Sequence, residues 1–144
     1  MNTVKKNAEK EDVKINVKIK LSALWAALML LYIYADILSL YRPGQLAKTM
    51  AGQMGPFPVT QVSLLVMAIL MIIPAVMVFL SLVLTPRTSC WVNIILGVLY
   101  TLVNISNLVG EPWAYYISSG VVEVLVTLLI VWTAAWWPNR EVQP

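Results

Sequence analysis

Apolar residues fall in four long runs, about Leu21–Leu40, Val59–Leu84, Trp91–Val109 and Trp113–Trp137. Each reaches the ~20 residues that a helix needs to cross a bilayer. The second and fourth are longer and are expected to tilt or project. Turn-forming residues separate them: Pro43-Gly44, Pro86, Gly110-Glu111-Pro112 and Pro138. Pro112 suits the first turn of the fourth helix, where a missing N–H costs little. The pattern predicts an all-α fold, an integral membrane four-helix bundle with up-down topology. It makes one domain over 19–138, with a basic arm at 1–18 and a short tail at 139–144.

The polar positions inside the runs are not scattered. At 100° per residue, Asn93, Gly97, Tyr100, Thr101, Asn104 and Asn107 of the third run fall within an arc of ~120°. In the first run Ser22, Tyr32, Asp36 and Ser39 share a face with Trp25 and Met29, and Tyr34 points the other way. In the fourth, Tyr116, Ser119, Gly120, Glu123 and Thr127 share a face. The second run is apolar apart from Gln61, Ser63 and Ser81. Pro74, near its middle, is expected to kink it and free the carbonyl of Leu70.

The stretch "YIYADILSLYRPG" sets a carboxylate, Asp36, inside such a run. At a rise of ~1.5 Å per residue, Asp36 lies ~7.5 Å below the outer edge marked by Tyr41. Asn104 lies at a similar depth, and Glu123 lies ~15 Å in from Trp113. The outer half is therefore expected to be polar and the inner half drier. Asp36, Asn104 and Glu123 are expected to face the bundle interior. An intramembrane charge costs at least ~2.5–3.5 kcal/mol. The two acids must be protonated, hydrogen-bonded to Tyr and Asn, or hydrated, and Arg42 could fold back towards Asp36 as a counter-ion. The candidate binding pocket is Asp36, Glu123, Asn104, Asn107, Tyr32, Tyr116 and Ser119. The candidate packing residues are Asn93, Gly97, Thr101, Gly120 and Pro74, with Gly97 admitting a close neighbour. The bland alternative is that these polar groups only bond helix to helix.

Charge sets the expected direction. All but two of the ten Lys and Arg, namely Lys5, Lys6, Lys10, Lys14, Lys18, Lys20, Arg87 and Arg140, fall on one side; Arg42 and Lys48 fall on the other. By the positive-inside rule both termini are cytoplasmic, in a multi-pass protein of the cell (inner) membrane. Trp91, Trp132, Trp136 and Trp137 then mark the inner interface, and Tyr41, Trp113, Tyr115 and Tyr116 the outer. The first run is too long for the core of a cleaved signal peptide. The segment "EDVKINVKIK" alternates as a strand does, but a lone strand has no partner. A helical extension or an interfacial arm fits better, with its lysines on anionic headgroups. Residues 1–12 are expected to be disordered. In the outer connection Leu46, Met50 and Met54 share a helical face, which suggests a short surface helix that could serve as a lid.

Composition narrows the chemistry. The chain of 144 residues is 60% hydrophobic and 12% charged, with one Cys and no His. No disulfide can form within it, and metal sites and acid–base catalysis built on His are excluded. No cofactor is expected. Cys90 reads as a small packing residue. No nucleophile elbow, zinc-protease motif or phosphate loop is present, so an enzyme is not expected. A net charge of +3, with lysines flanking a span, does not suggest nucleic acid.

The stretches "KIKLSALWAALMLLYIYADILSLYRPG", "FLSLVLTPRTSCWVNIILGVLYTL" and "GVVEVLVTLLIVWTAAWWP" resemble small prokaryotic four-helix membrane proteins known only as a domain of unknown function. The resemblance implies four spans in one domain and no assigned chemistry. Size and layout are also similar to DoxX-like membrane proteins. Two functions are open at this point. One is a channel or carrier for a proton, cation or small polar solute, working as a homo-oligomer. The other is a non-catalytic accessory subunit with a membrane partner.

Overall fold

The computed structural model describes residues 14–137. The expectations for residues 1–12, for Val13, for Pro138 and Arg140 and for the tail lie outside that range. The described chain forms helices α1 (Val17–Leu40), α2 (Gln45–Met50), α3 (Gln61–Val83), α4 (Pro86–Leu108) and α5 (Ala114–Ala135). Two short strands, β1 (Gln53–Met54) and β2 (Phe57–Pro58), precede α3. α1, α3, α4 and α5 are each long and apolar enough to cross a membrane.

The helix ends differ from the hydropathy runs where capping decides them. α1 begins at Val17 because the Asn16 side chain accepts the Lys18 N–H at 2.9 Å. The strand-like alternation therefore becomes helix from residue 17 onward. Lys18 Nζ donates to the carbonyls of Leu82 (3.1 Å) and Leu84 (2.7 Å), which the end of α3 leaves without helical donors. That lysine caps a helix rather than reaching for headgroups. α3 starts after a reciprocal capping box between Thr60 and Ser63. α4 starts at Pro86, ahead of the apolar run, with the proline in its first turn. Pro112, expected in the first turn of the last helix, lies before it. Trp113 takes the N-cap position, and its N–H donates to Glu111 Oε1 at 3.2 Å.

The surface helix is shorter than its apolar spacing suggested. α2 stops at Met50, and Met54 belongs to a hairpin in which it pairs with Phe57. Gly55, at φ 58°, opens the two-residue turn between them.

α1 lies between α3 and α5, and α5 packs along α4. The lysine end of the bundle joins the start of α1 to the end of α3 through Lys18 and Leu84. The arginine end joins the end of α1 to the start of α5 through Arg42 and Tyr115. Partner numbers rise together along α1 and α4 (Trp25–Asn93, Tyr32–Asn104), so these two helices run parallel and meet across the bundle centre. The core is Leu21, Trp25, Leu28 and Tyr32 of α1, Met77 of α3, Tyr100 of α4, and Ile130 and Ala134 of α5. The outer faces are apolar, as on Leu65, Ile72 and Phe79 of α3. They need a hydrocarbon solvent, and water would not tolerate them. Trp91, Trp132 and Trp136 are exposed at the lysine end.

Candidate functional site

Polar groups occupy the centre of both halves, not of one. At the lysine end Asn93 is fully buried and fully bonded. Its Oδ1 accepts from Trp25 Nε1 (2.7 Å) and Ser81 Oγ (3.3 Å); its Nδ2 donates to the Ser89 carbonyl (2.7 Å) and lies 3.2 Å from Ser89 Oγ. The expectation of a dry inner half is corrected accordingly. The polar atoms there satisfy one another and leave nothing for a ligand. Ser89 and Trp25 were not foreseen as partners, although Ser89 stands four residues before Asn93 on the same helical face.

The next layers seal this end. Trp25 and Tyr100 meet edge to face at 5.8 Å. The Tyr100 hydroxyl donates to Leu70 O at 2.5 Å, the carbonyl that Pro74 was expected to free. The Thr101 hydroxyl lies 2.7 Å from Gly97 O and 2.8 Å from the Thr127 hydroxyl, which ties α4 to α5. A Cβ on Gly97 would stand 2.7 Å from Val131 Cγ2, so the packing roles of Gly97 and Thr101 are local and close. Gly120 has the side chain of Leu108 over it. Cys90 Sγ sits 3.2 Å from Ala134 O, at the same seam.

Above these layers the bundle opens. A cavity of about 50 Å³ is lined by Tyr32, Asp36, Asn104, Asn107, Tyr116 and Glu123, with Leu70 and Met71 of α3 as an apolar wall. Ser119 is half-buried and does not line it. Glu123 (6% exposed) and Asn104 (1% exposed) face inward as expected. Asp36 does not: it is exposed at the mouth, and so is Asn107. The buried line of α1 runs Leu21, Trp25, Leu28, Tyr32, Ala35. Asp36 is one residue, or ~100°, past its end. No residue of the 41–60 connection lines the cavity.

Tyr32 donates to Asn104 Oδ1 at 2.8 Å. Asn104 Nδ2 is buried and has no acceptor among the described residues. The side chains of Asp36 and Glu123 form no ion pair among those residues either. The suggested counter-ion is engaged elsewhere. Arg42 Nη1 lies 3.0 Å from Glu111 Oε1, and its Nε donates to Tyr115 Oη at 2.5 Å. Its guanidinium sits 5.5, 5.2 and 5.0 Å from the ring centres of Trp113, Tyr115 and Tyr116. Partial burial works against the Arg42 charge, but the bonds to Tyr115 and Glu111 outweigh it and hold its pKa above the ordinary range. Tyr116 belongs to both features, under Arg42 on one side and against the cavity on the other.

A family model matches residues 10–143. The chain belongs to a family of unknown function, DUF6326. No curated protein and no solved structure matches it. The family carries no assigned chemistry to transfer, and none of these matches is to a DoxX-like protein. Any role for this DUF6326 member has to be argued from its own cavity.

Proposed function

We propose that this chain is a small carrier or channel subunit of the cell (inner) membrane. Its polar cavity takes a proton, cation or small polar solute from the arginine end. The observation that carries this is the pair of carboxylates, Asp36 at the mouth and Glu123 within, sharing a cavity with Asn104, whose Nδ2 has no acceptor among the described residues. Intramembrane acids are expensive and usually mark a path or site. The lysine distribution supports cytoplasmic termini, which puts the mouth outside. Lys14 and Lys20 are exposed and suited to anionic headgroups, whereas Lys18 is engaged. No catalytic role, cofactor or nucleic-acid partner enters the proposal.

One feature favours a second reading. The Asn93 cluster and the Trp25–Tyr100 layer close the lysine end, so a single chain offers no through-path among the described residues. Transport then requires helix movement or a homo-oligomer. An accessory subunit bound to a membrane partner requires neither.

The test is flux of protons and monovalent cations into liposomes holding the folded protein. The Asp36→Asn/Glu123→Gln double variant is run beside it. Flux abolished in the variant supports the carrier reading. Flux no higher than in empty liposomes removes that reading and leaves the accessory one.

A further inference from the structure

The cavity itself narrows the choice of ligand, and the inference below rests on the site proposed above. Metabolite pockets run to ~300–1,000 Å³. This one measures about 50 Å³, room for a few waters at most. A dehydrated metal cation needs a shell of oxygens, ~6–8 for calcium and ~6 for magnesium. Among the described residues no group of three or more acidic, His or Cys side chains could hold a metal. Leu70 and Met71 make one wall without a side-chain oxygen. A residue that lines the cavity, Asn104, carries a buried donor there. Asn104 Oδ1 is taken by Tyr32, and it is the N–H side of the amide that lacks a partner. A donor repels a bare cation and asks for a lone pair.

We propose that the cavity binds a proton on Glu123, through a small water cluster anchored on Asn104 Nδ2 and open to the exterior past Asp36. Water answers both demands, accepting from Asn104 and donating to a carboxylate. On binding, a hydronium at the mouth gives up one proton and is left as water. An O–H bond forms on a Glu123 carboxylate oxygen, and nothing is oxidised or reduced. The groups around Glu123 fit this role. α1 presents Tyr32 and Asp36, α4 presents Asn104 and Asn107, and α5 itself presents Tyr116. Tyr100, one turn below Asn104, is committed to Leu70 O, and α3 contributes no titratable group to the cavity. The neighbouring cation, Arg42, is held by Glu111 and Tyr115. Among the described residues, protonation is thus the available way to neutralise Glu123.

The experiment is infrared difference spectroscopy on the full chain in lipid bilayers, titrated from alkaline to acidic pH in H2O and D2O. A carboxylic-acid carbonyl band should appear, shift in D2O and vanish in Glu123→Gln. Asp36→Asn removes a nearby negative charge and should weaken proton binding several-fold. It sits at the exposed mouth, so it keeps the test alive if Glu123→Gln does not fold. Sodium, potassium or calcium in excess should leave the titration unmoved. Displacement of the band by any of these ions, or the absence of a Glu123-dependent band, overturns the proposal. A Glu123-dependent band without liposome flux upholds proton binding and sinks the carrier reading. Cation flux without such a band upholds transport and sinks the proton.

Discussion

The Tyr100 hydroxyl on α4 donates to the Leu70 carbonyl on α3 at 2.5 Å, and Leu70 lies four residues before Pro74. A proline has no N–H, so this carbonyl has no helical donor. A side chain from another helix supplies it. The kink and the tyrosine therefore form one unit across a seam where α3 and α4 otherwise meet sparsely.

Tyr100→Phe should lower stability by about 1–3 kcal/mol, the cost of leaving a buried acceptor unmade. Pro74→Ala in that background should recover part of the loss, because alanine restores the helical N–H to Leu70. Unfolding midpoints in detergent, arranged as a double-mutant cycle, read the coupling. Strictly additive effects would mean that the hydroxyl does not serve the proline gap.

Asn93→Leu should also cost about 1–3 kcal/mol, since it strands the indole N–H of Trp25 in a sealed layer. The same change in a Trp25→Phe background should cost less, because no donor is then stranded. An equal loss in both backgrounds, measured by thermal unfolding, would argue that packing volume and not hydrogen bonding sets the value of Asn93.

Two glycines should respond differently to alanine. At Gly97 the new Cβ meets Val131 Cγ2 at 2.7 Å, and a β-branched side chain on a helix turns poorly. Overpacking of about 1–3 kcal/mol is expected, relieved in part by Val131→Ala. At Gly120 the atoms in the way belong to Leu108, Cδ2 at 2.5 Å and Cγ at 3.1 Å, on a longer and more adaptable side chain. Gly120→Ala should be the milder of the two. Reversal of that order in chemical unfolding would place the tighter fit of the α4–α5 seam at Leu108 and not at Val131.

Arg42→Lys keeps the charge but loses the fork that spans Glu111 and Tyr115 and the guanidinium's approach to three rings. The expected loss is about 1 kcal/mol. Added salt should weaken only the ion-pair share, because the ring contacts are less screened. Wild-type stability in the lysine variant, at low and high salt alike, would rule out a structural role for the aromatic cage.

Much of this architecture is legible in the residues alone. Runs of bilayer length fix four helices, because hydrocarbon leaves a chain no other way to satisfy its backbone. The 100° periodicity of α4 finds Asn93, Gly97, Tyr100, Thr101 and Asn104, all of which are buried. The freed carbonyl of Leu70 follows from Pro74, and Glu123 and Asn104 are placed inside from their spacing. What the residues could not reveal is pairing. Helical periodicity gives a face but not the helix opposite it, so the Asn93 cluster, the Tyr100–Leu70 bond and the Arg42 cage emerge only when four helices are set side by side. Periodicity also blurs the edge of a face. Asp36 lies one residue past the buried line of α1, and only the rotation of α1 against its neighbours sends it to the mouth. Length and hydrophobicity belong to each segment by itself, whereas hydrogen-bond satisfaction belongs to contacts between segments, which is why the sequence determined the spans and only the tertiary structure located the cavity.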